Sequence, residues 1–304
     1  METVTIPAED GYKLSLAVFE AENPRGYIQF IHGMEEHKER YDAFAEYLCR
    51  AGFTVVTSDM RGHGVNAPLP GFFKEKDGHL SLLSDQNQIT DYIRKRFQAQ
   101  KVSLFSHSMG TIIARNLLRS QSDRYEKIVM SGYPNYPGKW ELAKGFLMAK
   151  ACTVFHGPKY HSPLLEHAAV GHYNDSIANP ETAVDWICTD RNVVQEYIKD
   201  PYCGHGFTVS AFHDLFMLLV GMENPAKYER VNGNLPILLL RGSEDPCTGF
   251  DKGAKDSMNR LKQAGFSNIR SNTYAGMRHE LLNERGHEKV WEDVVEFYRG
   301  DENG

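Results

Sequence analysis

The chain has 304 residues, of which 41% are hydrophobic and 24% charged, and its formal net charge is −6. A chain of this length can bury one large core, or one core with an inserted subdomain, and the composition is typical of a soluble globular protein. No run of Lys or Arg stands out, which argues against a nucleic-acid partner because such a partner requires a basic face.

The first residues show no charged segment followed by an apolar run, and no apolar stretch of about 18 residues could span a bilayer. We therefore expect neither a signal peptide nor a transmembrane helix. Five cysteines, an odd number, occur without a C-x-x-C pair. We interpret them as reduced thiols of a cytoplasmic protein.

The first 132 residues predict a β-hairpin followed by alternating strands and helices. Residues 1–7 and 12–19 flank an Asp10-Gly11 turn and predict the hairpin. Strand patterns follow at 27–31, 53–58, 102–107 and 128–130, with helical patterns near 41–48, at about 83–97 and after Gly110. This alternation predicts an α/β fold with a mostly parallel central sheet flanked by helices.

Residues 133–225 differ from the rest of the chain. They hold seven of the thirteen prolines and six of the thirteen histidines, and their apolar residues cluster with helical rather than strand spacing. The alternating pattern then resumes, with strands near 236–240 and 267–274 and helices near 251–264 and 290–298. We predict a core formed by residues 1–132 and 226–304, interrupted by a helical cap at 133–225.

The stretch from Val102 to Gly110 predicts a strand, a tight turn that carries Ser108, and the start of a helix. In a nucleophile elbow the serine occupies a strained strand-to-helix turn, which lifts its hydroxyl clear of the sheet. The turn requires small residues two positions before and after the serine. Gly110 meets this requirement, and we interpret Ser106 as a small residue tolerated where glycine is usual.

Asp245 and His279 follow two later predicted strands, so the chain order is Ser108, Asp245, His279. A serine needs an imidazole to accept its proton, and the imidazole needs a carboxylate to fix its tautomer. Because ligand crevices lie at the carboxyl ends of parallel strands, we expect the three side chains to meet there. The neighbouring acids Asp251 and Asp256 fall within a predicted helix, and His287 is interpreted as a surface residue at the start of the last helix.

An attacked carbonyl becomes an oxyanion, which needs preorganised N–H donors. Met109, directly after the candidate nucleophile, offers one backbone N–H at a helix start. The loop after the 27–31 strand offers another, and we assign it to Met34. In the same region His32 and His107 are interpreted as structural residues, and the segment 59–64 as a brace for the loops.

Five motifs together resemble the α/β-hydrolase superfamily, and within it the monoacylglycerol lipase and lysophospholipase group, also labelled the serine aminopeptidase S33 type. The motifs are His32-Gly33-Met34-Glu35-Glu36-His37 with Arg40-Tyr41, Asp59-Met60-Arg61-Gly62-His63-Gly64, Ser106-His107-Ser108-Met109-Gly110, Gly242-Ser243-Glu244-Asp245-Pro246, and residues 278–284. The resemblance implies ester hydrolysis through an acyl-enzyme, with a helical cap over an acyl pocket. It predicts a small-molecule ester substrate with an acyl chain and no cofactor.

Other functions with the same three residues stay open, namely a short-chain or aryl esterase, a thioesterase, and a proline-type aminopeptidase. A peptidase needs an acidic cap residue for the substrate's amino terminus, and Glu166, Asp185, Glu196 and Asp214 are candidates. A more distant alternative is a non-catalytic small-molecule receptor. The presence of all three residues argues against a receptor.

The histidines of the cap, notably His161 and His167, raise the question of a metal. Their spacing is irregular and no H-E-x-x-H occurs, so we expect no metal site. Apolar clusters near 146–147 and 212–220 could contact a membrane surface transiently, although packing on the sheet is the favoured interpretation. The sequence leaves the oligomeric state open.

Overall fold

The computed structural model describes residues 1–300. The last four residues of the predicted core segment, 301–304, lie outside this range. Eight strands form one sheet: β1 Glu2–Pro7, β2 Lys13–Phe19, β3 Gly26–Ile31, β4 Phe53–Ser58, β5 Val102–His107, β6 Tyr125–Ser131, β7 Ile237–Gly242 and β8 Ile269–Tyr274. Within residues 1–300, nine α-helices accompany them: α1 Asp42–Arg50, α2 Gly78–Phe97, α3 Met109–Gln121, α4 Lys139–His156, α5 Pro163–Ala169, α6 Arg191–Lys199, α7 Val209–Glu223, α8 Phe250–Gln263 and α9 His287–Arg299.

The strand order is β1-β2-β4-β3-β5-β6-β7-β8. The β1–β2 and β2–β4 pairs are antiparallel, and all pairs from β4–β3 to β7–β8 are parallel. The predicted hairpin and mostly parallel sheet are therefore confirmed. Because β3, β5, β7 and β8 run in the same direction, the loops that follow them meet at one edge of the sheet.

Apolar side chains of the central strands cover both faces of the sheet. Phe105 contributes to a buried cluster with α1 and α9, whereas Leu104, its neighbour in the chain, contributes to a second cluster with α3. This alternation follows from the two-residue period of a strand. The two clusters fix α3 and the carboxyl edge of the sheet relative to each other.

Two local features differ from the sequence expectations. Helix α2 begins at Gly78, several residues before the predicted start near 83. A Cβ at Gly78 would lie 2.2 Å from an oxygen of Asp214 in α7, so the first turn of α2 depends on a tertiary contact that periodicity does not reveal. Between β6 and β7 the described chain is helical or irregular apart from one isolated bridge, which joins His161 and Thr208.

The favoured packing of the two apolar clusters holds only in part, since the 212–220 cluster is buried against helices α2, α3 and α4. For Leu147 of the 146–147 cluster the prediction is wrong, because that side chain is 71% exposed. Phe212 and Leu218 of α7 are fully buried in the cluster that also contains the apolar face of α3. Among residues 1–300, no helix combines the length and apolar character needed to cross a membrane. All five cysteines are free thiols.

Candidate active site

Ser108 occupies a strained turn between β5 and α3. Its backbone angles are φ 50° and ψ −122°, in a region that residues with a side chain rarely adopt. Gly110 is indispensable to the turn, because an added Cβ would lie 2.3 Å from the carbonyl oxygen of Ile31 and 2.6 Å from that of His32. Ser106 is fully buried and donates a hydrogen bond of 3.0 Å to the Val129 carbonyl, which satisfies its hydroxyl in place of the usual glycine.

The structure brings the three predicted catalytic side chains together. His279 Nε2 lies 2.9 Å from Ser108 Oγ, and His279 Nδ1 lies 3.0 Å from Asp245 Oδ2. The second oxygen of Asp245 accepts a hydrogen bond of 2.9 Å from the Cys247 N–H. This geometry aligns a hydroxyl, an imidazole and a carboxylate for transfer of one proton.

Burial and neighbouring charges shift the pKa values of the adjacent His279 and His107 in opposite directions. Burial alone would lower the pKa of His279, but the Asp245 carboxylate and its hydrogen bond raise that pKa above the ordinary value. For His107, burial and the neighbouring His279 lower the pKa to about 4. The two rings lie 4.7 Å apart, and His107 therefore packs as a neutral ring against the base. The structural interpretation of His107 is confirmed.

The loop that carries Met34 is held by a buried carboxylate. Glu36 accepts hydrogen bonds from the Gly33 N–H, from the Tyr41 hydroxyl at 2.7 Å and from Arg40 at 2.8 Å. Burial opposes the charge of Glu36, but Arg40 and nearby histidines lower its pKa to about 2. The loop backbone is thus fixed beside the nucleophile, and no acceptor among residues 1–300 takes the Met34 N–H.

The second predicted donor, the Met109 N–H, lies at the first residue of α3. The first N–H groups of a helix have no partner within the helix and carry the positive end of its dipole. Met109 follows Ser108 in the chain. Met34 follows Gly33, which packs closely against Ser108, since an added Cβ at Gly33 would lie 3.0 Å from Ser108 Cβ.

His32 and the segment after β4 brace these loops, as predicted. His32 Nε2 accepts a hydrogen bond of 3.0 Å from the Met60 N–H, and its Nδ1 lies 2.8 Å from the Gly33 carbonyl. Asp59 accepts hydrogen bonds from the backbone N–H of Lys38 at 2.9 Å and from the Lys38 ammonium at 2.7 Å. These contacts join the loops to each other, and none of them involves Ser108.

The loop that carries His279 is tied to the segment between α5 and α6. Glu284 accepts hydrogen bonds from the Arg278 N–H at 2.8 Å and from the Thr189 N–H at 2.9 Å. The Arg278 guanidinium donates to the Asp185 carbonyl at 2.7 Å, and the Glu280 N–H donates to the Ile187 carbonyl at the same distance. The segment between α5 and α6 therefore holds the loop that carries His279 in place and covers it.

Trp186 belongs to this site and was not identified from the sequence. Its ring lies 4.8 Å from the His279 ring and 4.8 Å from the Tyr173 ring. Together with the surrounding chain it encloses the reacting groups, since Ser108 is only 9% and His279 only 3% exposed. A lone tryptophan in a segment without periodicity gives no signal that it faces a catalytic base.

The rival residues lie elsewhere. Asp251 is exposed and pairs with Arg241, and Asp256 pairs with Arg260 at 2.7 Å within α8. Neither His161 nor His167 belongs to a group of three or more possible metal ligands within residues 1–300.

A family model described as serine aminopeptidase, S33, matches residues 22–286. Among curated proteins, the monoacylglycerol lipase of Mycolicibacterium smegmatis is 24% identical over 284 residues, which cover 90% of this chain and 88% of that protein.

Two solved structures share the fold. A thermostable carboxyl esterase from Bacillus coagulans, crystallised in complex with glycerol, superposes with a TM-score of 0.90 at 22% identity and covers 98% of both chains. A soluble variant of the Saccharomyces cerevisiae monoglyceride lipase, in complex with a substrate analogue, superposes with a TM-score of 0.73 at 18% identity, over 98% of this chain and 95% of that one. The predicted α/β-hydrolase fold is thereby confirmed.

Proposed function

The chain belongs to the serine aminopeptidase S33 family and is a hydrolase of the lipase and esterase type, and from this premise we propose that it cleaves monoacylglycerol-like or lysophospholipid-like esters through an acyl-enzyme. One observation carries the proposal. His279 bridges Ser108 Oγ and Asp245 Oδ2 at 2.9 Å and 3.0 Å, inside a covered site.

In the first half of the proposed reaction, Ser108 Oγ attacks the ester carbonyl carbon while His279 Nε2 accepts its proton. The carbonyl oxygen becomes an oxyanion between the N–H groups of Met34 and Met109. Collapse of this intermediate breaks the bond to the alcohol, which leaves with the proton from His279. Loss of one such N–H donor typically slows catalysis by about 10²–10³.

In the second half, a water molecule attacks the acyl-Ser108 ester, and His279 accepts one of its protons. A second oxyanion forms and collapses, the fatty acid leaves, and His279 returns the proton to Ser108 Oγ. Asp245 keeps the Nδ1 proton of His279 in place throughout and stabilises the imidazolium.

We propose residues 133–225 as a cap on a core of residues 1–132 and 226–304. This division is supported by the contacts of Trp186 and Ile187 with the His279 loop. Because Ser108 and His279 are nearly inaccessible, a lipid ester requires displacement of the segment that carries Trp186.

Transient membrane contact through the cap is part of the proposal. On α4, Trp140, Leu147, Val154 and Phe155 are each between 71% and 83% exposed. The first three recur every seven residues and therefore share one face of the helix. Lysines beside this stripe would favour anionic lipid: Lys139, Lys144 and Lys150. Sedimentation with anionic vesicles tests this part, and Trp140→Ser with Leu147→Ser should abolish it.

The aminopeptidase alternative finds little support in the cap acids. Asp214 pairs with a histidine of α2 at 3.0 Å, Asp185 accepts bonds within its own turn, and Glu196 is exposed. Glu166 faces Glu35. Burial raises the pKa of both carboxyls, and for Glu35 the neighbouring Glu166 adds to the increase. The pair therefore carries less negative charge than two ionised carboxylates would.

The experiment is hydrolysis of p-nitrophenyl esters from short to long acyl chains, with 1-monoacylglycerol, a lysophospholipid and a dipeptide amide alongside. We expect the highest kcat/KM for medium or long chains, cleavage of the glycerol ester, and no activity in Ser108→Ala. A preference for the shortest acyl chain without glycerol-ester cleavage would instead indicate a small-ester esterase. Equal labelling of wild type and Ser108→Ala by a fluorophosphonate would refute Ser108 as the nucleophile.

A further inference from the structure

His37, Asp200 and Cys203 converge at a point outside the site described above. Their possible ligand atoms, an imidazole nitrogen, a carboxylate oxygen and a thiol sulfur, all lie within 4.8 Å of one another. His37 comes from the loop after β3, whereas Asp200 and Cys203 follow α6 of the cap. We propose that these three residues bind Zn²⁺ and thereby fasten the cap to the loop that carries Met34.

The backbone holds the three side chains in place before any metal binds. Asp200 Oδ1 accepts a hydrogen bond of 2.8 Å from the Tyr202 N–H, and the Cys203 N–H donates to the Asp200 carbonyl at 3.1 Å. This turn directs the other carboxylate oxygen, Oδ2, to His37 Nε2 at 2.8 Å. Tyr202 stacks edge-on against the His37 ring at 5.6 Å and limits its rotation. Little conformational freedom is therefore lost when the ligands converge on an ion.

Glu39 completes an arrangement that is common around zinc. It lies 2.6 Å from His37 Nδ1, the nitrogen that faces away from Asp200 and Cys203. A histidine ligand usually donates its second N–H to a carboxylate, which fixes the tautomer and strengthens the ligating nitrogen. Here Glu39 would play that part while Nε2 binds the metal.

The donor set selects zinc among common divalent ions. Nitrogen, oxygen and sulfur donors together suit Zn²⁺, whereas Mg²⁺ and Ca²⁺ prefer oxygen alone. Tetrahedral bonds to zinc place such donors about 3.4–3.6 Å apart, so Asp200 Oδ2 and His37 Nε2 need to separate by about 0.6 Å from their present 2.8 Å. The nearby Arg40 does not repel the ion strongly, because Glu36 and Glu280 both pair with it.

One other trio of possible ligands exists within residues 1–300, Asp245, Cys247 and His279. In that trio, His279 is hydrogen-bonded to both Asp245 and Ser108, so the trio belongs to the candidate active site. The experiment distinguishes the two trios through Cys203→Ser and Cys247→Ser, with Cys188→Ser as the matched control for loss of a buried thiol.

The test is calorimetric titration of the metal-free full chain with Zn²⁺, followed by Co²⁺ absorption spectra. We expect one Zn²⁺ for each chain, and a thiolate-to-cobalt band in the wild type, Cys188→Ser and Cys247→Ser. Cys203→Ser should lack the band, and its affinity for Zn²⁺ should be at least 100-fold lower. Glu39→Gln should lose about 10–100-fold while keeping the band.

Far-UV circular dichroism shows whether each variant is folded. If Cys203→Ser does not fold, Asp200→Asn is used in its place. Unchanged zinc affinity in a folded Cys203→Ser or Asp200→Asn would overturn the proposal, as would loss of binding in Cys247→Ser alone. The absence of saturable binding in the wild type would also overturn it. These readouts do not depend on ester hydrolysis.

Discussion

Replacement of Gly110 by alanine tests whether the turn around Ser108 sets the distance between the two proposed oxyanion donors. An added Cβ would lie 2.3 Å from the Ile31 carbonyl oxygen and 2.6 Å from that of His32, and real Cβ contacts essentially never fall below 3.0 Å. The start of α3 and the end of β3 must therefore separate by at least 0.7 Å, from 2.3 Å to 3.0 Å. This movement shifts the Met109 N–H relative to the Met34 N–H.

A misplacement of about 1 Å can slow catalysis by about 10². We therefore expect Gly110→Ala to lower kcat for a p-nitrophenyl ester by about 100-fold. Alanine has a helix propensity about 1 kcal/mol better than glycine, so poorer helix formation cannot account for such a loss. Stopped-time assays beside far-UV circular dichroism and thermal unfolding separate catalysis from folding.

Gly26 provides the matched control. It lies at the start of β3, and an added Cβ there would meet Phe53 at 3.5 Å, an ordinary contact. Gly26→Ala should keep wild-type kcat. A folded Gly110→Ala with kcat within threefold of wild type would refute the reasoning.

Four further predictions concern His279 and its contacts. Because Asp245 raises the pKa of His279 and only the neutral imidazole acts as a base, kcat/KM should rise with pH through a midpoint above the ordinary histidine value of about 6.5; a midpoint below it would contradict this. Asp245→Asn should lower kcat by about 10⁴ and move that midpoint to lower pH, and a pH–rate profile without a shift would argue against direct contact. Trp186→Ala should open the covered site, so fluorophosphonate labelling of the folded variant should be faster than that of wild type; slower labelling would mean that Trp186 positions His279 instead. Glu284→Gln should release the loop of His279 and lower kcat by about tenfold with KM little changed, measured on the same esters.

The framework of the site was predictable because it follows from strand ends. Ser108 and Asp245 follow the buried strands β5 and β7, and His279 follows the partly exposed strand β8. Parallel strands bring such positions to one edge of the sheet. The same reasoning from strand ends led to the prediction of Met34 as an oxyanion donor. The side-chain contacts that hold the Met34 loop were not predictable, because Arg40 bonds to Glu280 across 240 residues of sequence.

The covering of the site was not predictable in detail. Trp186 lies in a segment with short helical turns and irregular loops, where no periodicity shows which side chains face inward. The serine at position 106 was interpreted as tolerated for its size alone. The structure adds the reason, which is its hydrogen bond to the Val129 carbonyl of the adjacent strand.

The cluster of His37, Asp200 and Cys203 illustrates a further limit. Cys203 is one of five cysteines without a paired spacing, and His37 lies in one of the five motifs that resemble the hydrolase superfamily. Only the fold brings the segment after α6 to the loop after β3, where the three side chains meet.

The most direct test of the central claim is the intact mass of the chain during turnover of a long-chain p-nitrophenyl ester, quenched with acid. If Ser108 is the nucleophile, a species heavier by one acyl group should appear, peptide mapping should locate that group on Ser108, and Ser108→Ala should show no such species. The acyl group on another residue, or an equal adduct in Ser108→Ala, would contradict the central claim.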